Sequence, residues 1–76
     1  MKIVSGTFMI VKITDGMGNE EEIKVDAKKL TGGELLKKLD ISAFEAIIEK
    51  NNQVVQESEI LTDKDQIKIL NMILGG

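Results

Sequence analysis

The chain closes on Gly75-Gly76, a pair without side chains that bears a free α-carboxylate. Glycine has no Cβ and accepts nearly any backbone angle, so such an end can thread a narrow channel. Its carboxylate is a poor electrophile until an enzyme activates it. The pattern is that of a protein that is itself a substrate, passed between enzymes by its terminus. The plain alternative is a frayed end, since termini are commonly disordered. The rest of the inventory sharpens the choice. There is no His and no Cys. The usual general base, the thiol nucleophile and any Cys-based metal site are therefore excluded. An enzyme is the least supported reading.

Composition narrows the partners. Seventy-six residues make one small domain, with no room for a deep cleft. Ten Lys stand against thirteen Asp plus Glu, for a net charge of −3 and a pI of about 4.9. That balance, with no Trp or Tyr to stack on a base, argues against nucleic acid and suits a basic docking surface on a protein partner. No apolar run reaches the roughly 18 residues of a membrane span. Met1-Lys2-Ile3-Val4-Ser5-Gly6 is too short and too polar for a signal peptide, so a cytoplasmic location is expected.

The elements that position the terminus follow from periodicity. Thr7 to Thr14 reads as a strand, with Met9, Val11 and Ile13 toward the core and Phe8, Ile10 and Lys12 on the other face. Asp15-Gly16-Met17-Gly18-Asn19 is a turn cluster, and Glu20 to Val25 pairs back as a hairpin with Ile23 and Val25 inward. Thr31-Gly32-Gly33-Glu34 has capping-box spacing, Leu30 and Leu35 the spacing of a hydrophobic staple. Leu35, Leu36 and Leu39 then share a helix face.

Phe44 to Lys50 reads as a third strand, with Phe44, Ala46 and Ile48 on one face and Ile47 on the other. Asn51-Asn52 turns it into Gln53 to Val55. Glu57 to Leu61 is expected to be a brief turn or a single helical turn. Thr62 to Asp65 is a second polar turn, and Gln66 to Met72 is the last strand, with Ile67 and Ile69 inward. A hairpin, one helix and a return to the sheet make an α+β fold with the helix on one face. The first and last strands can be neighbours only if they run parallel in a mixed sheet. The domain is expected over residues 1–72, with 1–6 unplaced, followed by a tail at 73–76.

Three stretches carry a family likeness. Thr31-Gly32-Gly33-Glu34-Leu35-Leu36 is similar to a Thr-x-x-(Asp/Glu)-Leu-Leu helix start. Glu49-Lys50-Asn51-Asn52-Gln53-Val54-Val55 is similar to a Val-Asn-Gly-Glu-Val hairpin, with Asn52 at the usual glycine. Thr62-Asp63-Lys64-Asp65-Gln66-Ile67 is similar to Leu-x-x-Gly-Asp-x-(Ile/Val), with Lys64 at the usual glycine. In this order and with the diglycine end, the chain resembles the ubiquitin-like β-grasp superfamily. The nearer likeness is to its ThiS/MoaD sulfur carriers and the related small archaeal modifiers.

The resemblance implies a β-grasp fold, with a mixed sheet of four to five strands. It implies that an adenylyltransferase of the ubiquitin-activating type uses ATP to adenylate Gly76. A sulfur donor then converts Gly76 to a thiocarboxylate, which serves a biosynthetic enzyme of thiamine, molybdopterin or thiolated-tRNA synthesis. Alternatively a target-protein lysine attacks the activated carbonyl and forms an isopeptide bond. A plain interaction domain is the third possibility.

The protein itself binds no cofactor in this scheme. Ile73, Leu74 and Gly75 are the expected tail contacts with the activating enzyme. Phe8, Ile10, Ile47, Leu70 and Met72 are the expected docking patch, since exposed apolar clusters mark interaction surfaces. Glu20-Glu21-Glu22 reads as a solvated hairpin edge, because consecutive strand side chains point to opposite faces. Lys28-Lys29 and Lys37-Lys38 read as solvated surface, and nothing in the sequence selects an acceptor among the lysines.

Overall fold

The computed structural model describes residues 8–72; the N-terminal extension, Thr7 at the expected start of the first strand, and the Ile73–Gly76 tail lie outside them. β1 (Met9–Asp15) and β2 (Glu20–Val25) form the hairpin. Its turn is tied by Asp15, whose carboxylate accepts from the Met17 and Asn19 amides and the Asn19 side chain. β3 (Lys29–Thr31) leads into α1 (Gly32–Lys38). The capping box forms as its spacing predicts: Glu34 N–H donates to Thr31 Oγ1 at 3.1 Å, and Thr31 N–H to Glu34 Oε1 at 2.9 Å. At the other end Asp40 takes φ 60°, and the Ile41 and Asp40 amides donate to the Leu36 and Lys37 carbonyls. This is a Schellman termination with aspartate where glycine is the easier residue.

A single 3₁₀ turn (Ala43–Glu45) precedes β4 (Ala46–Lys50), which turns at Asn51 and Asn52 into β5 (Gln53–Val55). Both asparagines have positive φ, as a two-residue hairpin turn demands. β6 (Ile60–Thr62) and β7 (Ile67–Asn71) complete the order. The main sheet runs β2-β1-β7-β4-β5, with β1 and β7 parallel at its centre and the other pairs antiparallel. One face supplies Met9, Val11, Val25, Ile48, Ile67 and Ile69 to the core, which Leu35 and Leu36 of α1 and Leu61 of β6 complete.

Two expectations are corrected. The segment expected as a turn ends in a strand: β6 pairs antiparallel with β3 in a separate two-stranded ribbon that buries Leu61. Three-residue strands are too short to show alternation. The third strand of the main sheet begins at Ala46, not Phe44. Ser42 caps the 3₁₀ turn by accepting the Phe44 N–H at 3.2 Å. The turn breaks the alternation, Ala43 packs against the core instead, and Phe44 is 99% exposed.

Candidate functional site

The sheet fixes where the C-terminal tail leaves the domain. Asn71 ends the central strand, level with Asp15 on one side and Ala46 on the other. One residue on, the Met72 N–H donates to the Glu45 carbonyl at 2.6 Å. The root of the tail is thus held by main-chain bonds on a strand flanked on both sides. Gly76 and the expected contacts Ile73, Leu74 and Gly75 lie beyond the described residues.

The expected docking residues fall into two groups. Ile47 and Leu70 are register partners on the face away from α1, both partly exposed, and Met72 follows at 50% exposure. Phe8 and Ile10 are exposed at the other end of the same face. Thr14, not Ile10, is level with Leu70, so Ile10 lies four residues along β1, roughly 13 Å away. Between the groups runs a charged row in register, Glu22–Lys12–Lys68–Glu49. Lys24 Nζ sits 5.8 Å from the centre of the Phe8 ring, close enough for a cation–π contact.

Asp15, Glu20 and Glu21 border a depression that Asn71 also lines, and on the other side the Glu45 backbone carbonyl accepts from the Met72 N–H. The Asn19 side-chain amide, then the Met17 and Asn19 backbone amides, hold the Asp15 carboxyl below its ordinary range. Asp15, Glu20 and Glu21 make this border of the depression acidic.

The opposite end of β7 is a structural knot. Asp65 Oδ2 accepts from Thr62 N–H and Oγ1, and Asn51 bridges Asp65 and the Gln66 amide. The Thr62 amide chiefly, with Asn51, the Thr62 hydroxyl and the Lys50 charge, lowers the Asp65 carboxyl. Lys50 Nζ donates to Glu59 Oε2 at 3.0 Å and to the Ile60 carbonyl at 2.9 Å. These residues hold the two turns together. Among the described residues no group of three metal-ligating side chains converges, and Glu20 to Glu22 are all exposed.

Sequence reasoning missed the Ser42-capped turn that places the Glu45 carbonyl on Met72 and exposes Phe44. The signal was present: Ser42-Ala43-Phe44-Glu45 repeats the Ser/Thr-x-x-Glu spacing that opens a helical turn.

A mixed five-stranded sheet carrying one helix, with its C-terminal strand central, defines a ubiquitin-like β-grasp domain. The structure is similar to that of a Caldiarchaeum subterraneum ubiquitin, with a TM-score of 0.52 and 18% identity, covering 91% of this chain and 99% of that one. At that identity the likeness concerns the fold alone. The sequence model of the ThiS family matches residues 11–76, and the chain belongs to that family. Its members are small carriers rather than enzymes. No curated protein sequence matches significantly. No helix among the described residues is long and apolar enough to cross a membrane.

Proposed function

We propose that the protein is a cytoplasmic sulfur carrier whose Gly76 is adenylated and then converted to a thiocarboxylate. The observation that carries this reading is the ThiS family match, which runs through Gly75 and Gly76. A tail root fixed on the central strand, with Asn71 paired on both sides and Met72 bonded to Glu45, supports it. In the first step a Gly76 carboxylate oxygen attacks the α-phosphorus of ATP and pyrophosphate leaves. The acyl-adenylate is a mixed anhydride, so ATP and the partner supply the driving force. The terminal sulfur of a persulfide attacks the carbonyl carbon and AMP departs. A thiol then cleaves the resulting S–S bond, is itself oxidised to a disulfide, and leaves the thiocarboxylate on Gly76. The domain supplies binding and presentation throughout, in keeping with its lack of His and Cys.

Partners in this reading are an adenylyltransferase of the ubiquitin-activating type, a sulfur donor and a sulfur-accepting biosynthetic enzyme. Ile73, Leu74 and Gly75 occupy the enzyme's channel, and Ile47, Leu70 and Met72 form the docking surface nearest it. Phe8 and Ile10 extend that surface at the far end of the sheet. The test is the intact mass of the protein recovered from its own cells. Replacement of one terminal oxygen by sulfur supports the carrier. Lysine-linked conjugates bearing a Gly-Gly remnant, without any thiocarboxylate, support a protein modifier instead. Unmodified protein, with no ATP-dependent adenylation, leaves only an interaction domain. Removal of Gly75-Gly76 should abolish adenylation and leave the melting transition unchanged.

A further inference from the structure

We infer that Phe44 is an anchor by which the adenylating enzyme grips this protein, seated in an apolar pocket beside that enzyme's tail channel. The inference rests on the proposed adenylation of Gly76 and adds the residue that secures the encounter.

Four residues, Ile73 to Gly76, follow Met72. Fully extended, they span about 14 Å at most. An active site that holds the Gly76 carboxylate must therefore lie within that distance of the tail root. The body of the enzyme then covers the surface around Met72, including what stands next to it. Glu45 takes the Met72 N–H with its carbonyl, and Phe44 is covalently adjacent to Glu45.

The next point is the state of the side chain. Phe44 is 99% exposed, against 46% for Phe8, the other phenylalanine. Its backbone is nevertheless fixed. Ser42 Oγ accepts the Phe44 N–H, and the Ser42 carbonyl accepts the Glu45 N–H at 3.0 Å. Little backbone entropy is lost when a partner closes on it. A rigidly presented aromatic on a largely exposed surface has the character of an interface hot spot.

The third point is the surrounding chemistry. Met72 at 50% exposure and the Ile47–Leu70 register pair are further apolar residues near the tail root. Glu45, Asp15, Glu20 and Glu21 lie at the same pole. The complementary enzyme surface is an apolar pocket within a basic rim.

The test is ATP–pyrophosphate exchange by the cognate adenylating enzyme, run against the concentration of this protein. Phe44→Ala should raise KM about tenfold or more and leave kcat within about twofold, as expected of a lost hot spot. Its melting temperature should match wild type, since the ring makes no core contact. Phe44→Leu should recover part of the loss. Val54→Ala, at an exposed apolar residue outside the docking surface, should have a much smaller effect. Protein lacking Gly75-Gly76 should inhibit exchange competitively, and adding Phe44→Ala should weaken that inhibition in parallel. Wild-type exchange that Phe44→Ala leaves unchanged, or that Val54→Ala impairs equally, overturns the inference alone. No exchange with the wild-type protein overturns the proposed function, and this inference with it.

Discussion

Gly32 and Ile48 approach so closely that a Cβ on Gly32 would lie 2.7 Å from Ile48 Cδ1. It would also stand 3.3 Å from the Gln56 carbonyl oxygen and from Glu57 Cα. The Gly32 N–H donates to the Glu59 carbonyl at 2.9 Å, so the helix start is stitched to the segment before β6. Ile48 can shift its terminal methyl; the backbone of residues 56–57 has less freedom. Gly32→Ala should therefore destabilise the fold by about 1–2 kcal/mol, overpacking outweighing the better helix propensity of alanine. Urea unfolding should show a lower midpoint at an unchanged slope.

Left-handed backbone at Asp40 and Asn52 predicts gains. Their φ values are 60° and 70°. Glycine adopts that region without Cβ strain, at the expense of a more flexible unfolded chain. Asp40→Gly and Asn52→Gly should each stabilise by about 0.5 kcal/mol. The melting temperature should rise by a few degrees for each, and additively, since the two turns share no partner.

Asp15 and Asp65 predict an acid limb. Both carboxyls lie below their ordinary value of 3.8 in the folded protein. Their stabilising contribution is complete above that unfolded value and is lost as pH falls through the folded values. With no His or Cys in the chain, side-chain titration should leave stability nearly flat from pH 5 to 8. Asp65→Asn should cost about 1 kcal/mol at neutral pH, from the weakened bonds to Thr62. It should also shallow the decline below pH 4 in thermal melts. A decline as steep as in wild type would assign the acid limb to other groups.

Lys50 predicts uneven amine chemistry. Its ammonium is engaged by Glu59 and the Ile60 carbonyl, whereas Lys28, Lys29, Lys37 and Lys38 are exposed. Limited acetylation read by peptide mass should modify Lys50 several-fold more slowly than those four. An equal rate would mean that the Lys50–Glu59 pair is open in solution.

Acidity around the tail root predicts salt sensitivity. Asp15, Glu20, Glu21 and Glu45 should steer the protein onto a basic enzyme surface. The KM for this protein in adenylation should therefore rise several-fold between about 50 and 500 mM salt, as screening shortens the range of attraction. A salt-independent KM would place the docking energy in apolar contacts alone.

The sequence by itself determined the elements whose causes are local. Thr31 and Glu34 cap the helix because their spacing lets each reach the other's amide. Met9, Val11, Ile67 and Ile69 face inward because strand side chains alternate. Asn51 and Asn52 turn the chain because they tolerate positive φ. The diglycine and the missing His and Cys marked the terminus as the candidate reactive group without any coordinates.

Tertiary structure alone decided what depends on pairing between distant segments. The β3–β6 ribbon joins residues about thirty apart, through strands too short to carry a period. Whether Phe44 packs inward or points to solvent turned on the Ser42 cap and on Ala43 reaching the core first. The neighbourhood of Glu45 and Met72 exists because β4 runs antiparallel to the last strand in one register. A one-residue slip would turn each of those side chains to the other face.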